Sequence, residues 1–285
     1  MPPTDAKALS AALAVAGEIP PPAPAAPPAV AGLTKGAGPP RATVIVGGCD
    51  GGVHASYDGG NAWVSRNTNI VVSQFYPGLG VHPTIPDVLV GGLQDNSTLW
   101  AFGSPYWTLA VASGDGGAGG FNPVNPNIFW STSYGVGTIY RITRSALGYG
   151  LLVEARGFSG NDRKRFLPPL VIDPNNGTTL YYGTFRLWRT ITEGNANGWE
   201  SISVDMSKGA GYINTIEVAP SDSRVIWLGT NDGNVHVSID AGVTFTSVTT
   251  GLPNRAVTKV AADPLDARRA LVTLSGFGTP HVYLT

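Results

Sequence analysis

Ser238-Ile239-Asp240-Ala241-Gly242-Val243-Thr244-Phe245 repeats a phrase that stands 182 residues earlier as Ser56-Tyr57-Asp58-Gly59-Gly60-Asn61-Ala62-Trp63. Both read Ser-x-Asp-x-Gly-x-x-aromatic. An Asp in such a turn accepts hydrogen bonds from N–H groups of its own loop. Gly60 and Gly242 would supply positive φ, and Trp63 and Phe245 are expected to pack between neighbouring units. Ser56, Asp58, Ser238 and Asp240 are therefore expected to be structural. Weaker echoes end at Trp107 and Trp199, so the aromatic residues at 63, 107, 199 and 245 are spaced 44, twice 46, and 46 apart.

A second marker keeps the same beat. A short apolar strand, an x-Pro turn and another strand recur around Pro83, Pro123, Pro174, Pro220 and Pro264, with gaps of 40, 51, 46 and 44. A period of about 40–50 residues built from short β runs is the signature of a propeller with one four-stranded blade per repeat. The expected fold is thus all-β, with five to six blades visible. Four units read as complete, with strand 1 near 74–81, 117–121, 167–172 and 213–218. Residues 43–66 read as strands 2 to 4 of a first blade, and 256–285 as strands 1 to 3 of a last one. Such incomplete terminal blades read as a piece of a longer array.

Composition agrees with this and excludes other classes. There are 38 Gly and 23 Pro among 285 residues, and 13% of the chain is charged, against roughly 25% in ordinary domains. A net charge of −1 lacks the basic excess of a nucleic-acid binder. No apolar run reaches the ~18 residues of a membrane span, and Cys49 alone cannot form an intrachain disulfide. Residues 1–40 hold ten of the prolines and twelve alanines, which reads as a disordered arm before a propeller over 41–285. Within it, Ala8 to Gly17 carries Ala14-Val15-Ala16, a weak export signal whose Lys7 is offset by Asp5. The expected location is secreted or cell-surface, otherwise cytoplasmic.

These residues resemble the Asp-box (BNR) repeat propellers, which include sialidases, xyloglucanase-type glycoside hydrolases and the sortilin ectodomain. The family phrase is complete at 238–245, and Ala62 replaces its Thr at 56–63. Gly91-Gly92-Leu93-Gln94-Asp95-Asn96 and Ser113-Gly114-Asp115-Gly116-Gly117 look like the sortilin and glycosyl-hydrolase branch. The resemblance implies boxes that are structural and lie opposite the active face. It also implies two functions: a glycan-directed, glycoside-hydrolase-like protein, or a non-catalytic sortilin-like propeller that binds a peptide or partner protein. Phe185-Arg186-Leu187-Trp188 lacks the Pro of the sialidase phrase, so sialidase activity is not expected.

In a propeller the strand 2–3 loops and the strand 4–1 connections emerge together on one rim. The loops carry Asp50, Asp95, Asn96, Tyr134, Arg186, Asn231 and Asp232, and the connections Asp115, Asp162, Arg163, Lys164, Arg165, Lys208, Asn254 and Arg255. Glycoside hydrolysis typically takes two carboxylates about 5–9.5 Å apart. Asp95 and Asp115 lead as acid and base because glycines surround them, ahead of Asp50, Asp162 and Asp232; the plainer reading of each is a turn former. Asn96, Tyr134, Arg163, Arg165, Arg186, Asn231 and Arg255 are the ligand-binding candidates. The tryptophans read as packing residues, as do His54, His82, His236 and His281. No Cys/His spacing points to a metal, and no phosphate loop to a cofactor. The expected ligand is an oligosaccharide, polysaccharide or peptide, and nothing in the sequence sets an oligomeric state.

Overall fold

A computed structural model describes residues 44–49, 52–68, 73–111, 114–134, 138–145, 148–155, 161–195 and 197–285. The Ala/Pro arm and Asp50 lie outside them. Every regular element among the described residues is a β-strand, arranged in six antiparallel sheets. The first sheet holds β1 (Ile45–Cys49), β2 (Gly52–Ser56) and β3 (Val64–Ser65). The second holds β4 (Gly80–Val81), β5 (Val88–Gly92), β6 (Thr98–Phe102) and β7 (Thr108–Val111). The third holds β8 (Gly116–Phe121), β9 (Ile128–Ser133), β10 (Ile139–Ser145) and β11 (Gly148–Ala155). The fourth holds β12 (Leu170–Ile172), β13 (Leu180–Gly183), β14 (Leu187–Thr190) and β15 (Trp199–Ser201). The fifth holds β16 (Ile213–Val218), β17 (Ile226–Thr230), β18 (Val235–Ser238) and β19 (Thr246–Ser247). The last holds β20 (Val257–Ala262), β21 (Ala270–Leu274) and β22 (Val282–Leu284). Strands follow chain order within each sheet, which is the propeller expected from the repeat. Among the described residues the first and last sheets are three-stranded, as expected.

The core lies between blades rather than within one. Val88, Val90 and Trp100 of the second blade pack on Phe121, Phe129 and Ile142 of the third. Trp130 and Ile139 meet Leu180, Tyr182, Trp188 and Trp199 of the fourth. Tyr181 and Leu187 then meet Ile213, Ile216 and Leu228, and Trp227 and Val235 meet Val257, Val260 and Val272. A strand covered on both faces need not alternate, and β9 and β17 are buried at every position. Tryptophans also tie blades by hydrogen bonds: Trp130 Nε1 donates to the Glu193 carbonyl, and Trp227 Nε1 to that of Ala267, both at 3.1 Å. Among the described residues, none of the first blade belongs to these four clusters. Trp63, expected between blades, is 49% exposed and lies against Gly47 of its own sheet.

The two Ser-x-Asp-x-Gly turns behave as read. The Ser238 hydroxyl donates to Asp240 Oδ1, which also accepts from the Thr244 N–H at 2.9 Å, while the Thr244 hydroxyl donates to Oδ2 at 2.6 Å. At Asp58 the Ala62 N–H and Ser56 hydroxyl bonds remain, but Ala62 has no hydroxyl to give. The carboxyls respond accordingly. The Thr244 bonds pull Asp240 down to about 2, whereas Asp58, held first by the Ala62 N–H, is lowered from 3.8.

The proline turns hold a device that the repeat alone did not reveal. In four of the five turns, all but Ala219-Pro220, the residue before the proline caps the turn with its side chain. Asn122 Oδ1 accepts from the N–H groups of Val124 and Asn125, Asp173 Oδ1 from Asn175, and Asp263 Oδ1 from Leu265. In the second blade the cap is His82, whose Nδ1 accepts from Thr84 at 3.2 Å and Ile85 at 3.1 Å. Both partners are donors, so Nδ1 carries no proton and the proton sits on Nε2. This makes His82 a capping residue and not merely a packing one.

Burial first, then the Arg144 cation, holds the His82 ring below the ordinary 6.5. Its contribution is therefore complete above pH 6.5 and is lost as the pH falls through the lower folded-state value. His82→Asn installs the acceptor that Asn122 provides without a titrating ring. The expected result is a shallower loss of stability than in wild type between about pH 7.5 and about pH 5, read from urea midpoints. Equal slopes would show that the ring is not the source. His236, which burial also holds below 6.5, leaves a residual slope in both proteins.

Candidate functional site

Antiparallel order forces the 2–3 loops and 4–1 connections to one end of the sheets, and there the candidate carboxylates part company. The Asp95 backbone meets the Asp115 side chain. The Asp95 N–H donates to Asp115 Oδ1 at 2.7 Å, the Ser97 N–H to the Gly114 carbonyl at 2.6 Å, and the Gly116 N–H to the Leu93 carbonyl at 3.0 Å. The loop between β5 and β6 is thereby stitched to the strand entering the next blade. Asp95 and Ser97 sit at φ 55 and 65, a left-handed backbone that costs a non-glycine residue about 1–2 kcal/mol and persists where the surroundings impose it. The segment before β4 joins the same patch, since Tyr76 N–H donates to the Gly92 carbonyl and Gln94 N–H to the Gln74 carbonyl.

Aromatic rings border this pair. Tyr134, whose N–H donates to the Asp115 carbonyl, lies over Gly114, where a Cβ would come within 3.1 Å of its ring. Its ring centroid is 5.6 Å from that of Phe166, which is 6.5 Å from Tyr76. Tyr134 is 45% exposed and Phe166 54%, so two large aromatic faces stand open beside the Asp115 segment. Asn96 Nδ2 donates back to the Gln94 carbonyl in the same loop.

Asp162 is in a different situation. It is 7% exposed, and its carboxylate accepts from Arg186 Nε and Nη2 at 2.9 and 2.8 Å, from the Thr184 hydroxyl at 2.9 Å and from Trp188 Nε1 at 3.0 Å. Burial alone would raise this carboxyl; the bonds from Arg186, Thr184 and Trp188 outweigh it and hold the pKa below 3.8. Asp162 and Arg186 are thus spent on each other, and the pair pins the connection into the fourth blade instead of offering an acid. Arg163 pairs with Asp205 at 2.6 Å. Arg163 and Arg186 lie 4.5 and 5.0 Å from the Phe185 ring centroid.

The remaining candidates are spread over the fifth and sixth blades. Asp232 accepts from the Lys208 N–H and the Thr230 hydroxyl at 2.7 and 2.6 Å, and Asn231 Oδ1 from the Tyr212 N–H at 2.7 Å, so both tie the β17–β18 loop to the connection that leads into β16. Lys208 Nζ reaches Asn254 Oδ1, and the Arg255 side chain lies on Gly276. Arg165 is half-buried beside Phe166 in sequence. Among the described residues no cluster of His, Cys, Asp and Glu is set to hold a metal ion, and no helix is long and apolar enough to cross a membrane. A separate apolar groove along the outer edges of the fourth and fifth blades, lined by Val204, Met206, His236, Val243 and Phe245, holds no carboxylate pair.

Sequence reasoning placed Tyr134 on the rim but missed Phe166 and Tyr76. It reads the tryptophans as packing residues, and Trp100, Trp130, Trp188 and Trp227 are buried in the blades. Phe166 directly follows the one dense basic run, Arg163-Lys164-Arg165, and an apolar ring on a charged loop was the available signal.

Compared with solved structures, the chain is similar to the GH74 xyloglucanase from Xanthomonas campestris, with TM-score 0.57 and 15% identity over 81% of this chain and 40% of that one. It is also similar to an ancestral GH74 enzyme, with TM-score 0.53 and 18% identity over 84% of this chain and 34% of that one. The chain thus spans two fifths or less of these proteins' length, and at such identities the likeness establishes the propeller fold. No family sequence profile and no curated protein matches the chain.

Proposed function

We propose that the protein is a glycan-directed propeller whose ligand lies on the loop rim of the second and third blades. The observation that carries this reading is the open aromatic pair Tyr134–Phe166 beside the Asp115 carboxylate, which the Asp95 N–H holds in place. A pyranose ring offers an apolar C–H face and a belt of hydroxyls, and it needs a flat apolar surface next to charged acceptors. The likeness to one structure named a xyloglucanase is consistent with such a ligand. Where the ligand is hydrolysed, Asp95 and Asp115 are the acid and base, one carboxyl giving a proton to the leaving oxygen while the other activates water or attacks.

Titration with xyloglucan oligosaccharides, followed by calorimetry and by release of reducing ends, tests both levels. Phe166→Ala is expected to weaken binding about tenfold, a change of about 1.4 kcal/mol. Asp115→Asn is expected to leave binding nearly intact while lowering any hydrolysis by about 100-fold or more. Hydrolysis that survives replacement of both Asp95 and Asp115 would remove them as acid and base. A rim that ignores oligosaccharides and binds peptides in a Phe166-dependent way would establish the sortilin-like reading instead.

A further inference from the structure

The turn between β12 and β13, at the end of the fourth blade opposite the rim, carries Asn176-Gly177. The sequence holds one other such pair, Asn197-Gly198, in the turn between β14 and β15 at the same end of the same blade. Asparagine before glycine can cyclise, because a following residue without a side chain lets its nitrogen approach the amide carbon. The two turns treat that nitrogen differently. The Gly198 N–H donates to the Asn195 carbonyl at 3.0 Å. Among the described residues the Gly177 N–H donates to nothing, although Gly177 is buried and buried N–H groups are nearly always paired.

The Asn176 side chain is folded back over this peptide and held there. Its Oδ1 accepts from the Thr178 N–H at 3.0 Å and from the Thr178 hydroxyl at 2.8 Å, while Nδ2 donates to the Thr179 hydroxyl at 3.1 Å. An N–H meets only an acceptor, so the Thr178 amide fixes which side-chain atom is the oxygen. Both Thr178 donors therefore sit on the oxygen that gains charge when a nucleophile adds to Cγ. Asn176 itself is exposed, open to water and hydroxide. Packing imposes the glycine: a Cβ at Gly177 would stand 1.8 Å from Asn122 Oδ1, and Asn122 Nδ2 donates to the Gly177 carbonyl at 3.0 Å. The fold therefore has no room to shield Asn176 with a bulkier neighbour.

We propose that Asn176 is a site of spontaneous deamidation, and that the same fold protects Asn197. Hydroxide takes the Gly177 N–H proton, and the nitrogen adds to Asn176 Cγ. The Cγ–Nδ2 bond then breaks, and the leaving nitrogen takes a proton from water and departs as ammonia. The cyclic imide takes up one water and opens to aspartate or isoaspartate. Either product adds a negative charge to the turn. Isoaspartate also adds a methylene to the main chain, which carries the Gly177 carbonyl away from Asn122. Asn122 Oδ1 caps the proline turn of the third blade through Val124 and Asn125, so the change reaches the neighbouring blade. The inference is independent of the glycan reading.

Ageing the full chain at mildly alkaline pH, with peptide mapping by mass spectrometry, tests it. In urea both turns are gone, and the two asparagines are expected to react at rates within about threefold of each other. In the folded chain Asn176 is expected to react about tenfold or more faster than Asn197, because Gly198 must first give up its hydrogen bond. Thr178→Val keeps the N–H and removes the hydroxyl. It is expected to slow Asn176 by about threefold or more in the folded chain and to change nothing in urea. The Val124 and Asn125 amides are expected to exchange faster in the isoaspartate fraction, and unchanged exchange there would overturn the reach into the third blade. A folded-state ratio no greater than the ratio in urea overturns the proposal. So does a Thr178→Val chain that ages at the wild-type rate, since the folded turn then gives Asn176 no help.

Discussion

Asp162→Ala is expected to lower global stability by about 3 kcal/mol, a fall in Tm of about 6–12 °C for a domain of this size. The wild-type carboxylate accepts four hydrogen bonds, two of them from one guanidinium. Truncation leaves the Arg186 charge without its partner and takes one acceptor each from the Trp188 Nε1–H and the Thr184 hydroxyl, which keep only the Thr184 oxygen and the Arg186 carbonyl. Removing one member of a buried pair usually costs 3–5 kcal/mol. The lower end applies because the Arg186 side chain is 31% exposed and regains part of its hydration. The Asp222–Arg224 pair, with the arginine 73% exposed, is the control, and Asp222→Ala is expected to leave Tm nearly unchanged.

The sign with pH is also set. The folded-state pKa of Asp162 lies below 3.8, so its contribution is complete above that value and is lost as the pH falls through the folded one. The gap between wild type and Asp162→Ala should therefore be widest near neutrality and narrow below about pH 4. A gap that persists unchanged in acid would mean that packing, and not the ion pair, carries the effect. Unaltered oligosaccharide binding by Asp162→Ala would agree with its position outside the aromatic and carboxylate patch.

What sequence made legible depended on how local each feature is. The blades and their boundaries rest on turns, and a turn is made by residues a few positions apart. Pro220 and Ser238-x-Asp240-x-Gly242 could therefore be read with no knowledge of the partners. The Asp162–Arg186 pair spans 24 residues and the Tyr76–Phe166 contact 90, distances at which only the packing of blades decides who meets whom. The same holds for Trp63. Its phrase predicts a turn correctly, but its cover has to come from a neighbouring blade, and among the described residues none of the first blade belongs to the four inter-blade clusters. His82 lay hidden for another reason. Its place is filled by Asn or Asp in three other blades, and the equivalence of Nδ1 to Oδ1 is visible only once the N–H groups are seen to point at it. Rim placement was legible from topology, while the bond from the Asp95 backbone to the Asp115 side chain and the commitment of Asp162 and Asp232 to other partners were not.

The sharpest separation of fold from site is expected at Gly92. A Cβ there would stand 2.2 Å from the Gly116 carbonyl carbon and 2.2 Å from the Gly117 oxygen. These are backbone atoms of β8 that cannot swing aside as a side chain would. Relieving the clash to a contact of about 3.5 Å moves the start of β8 away from β5 by about 1 Å or more. The bonds that stitch the site cross that gap, from Gly116 N–H to the Leu93 carbonyl and from Asp95 N–H to Asp115 Oδ1. Gly92→Ala is therefore expected to cost about 1–3 kcal/mol. It should also lower any hydrolysis by about 100-fold, because a shift of about 1 Å in reacting groups has that consequence. Gly103→Ala is the companion variant. Gly103 lies in the turn at the opposite end of the same sheet, at φ +61 with open space around its Cβ position. Its cost is backbone strain of about 1–2 kcal/mol, with the site undisturbed. Two variants of similar stability should then differ in one respect. The Asp95 and Ser97 amides exchange faster in Gly92→Ala and at the wild-type rate in Gly103→Ala, a readout that needs no ligand. Equal exchange at Asp95 in both would mean that the loop and β8 are held apart from the glycine contact, and that the carboxylate pair owes its geometry to another part of the rim.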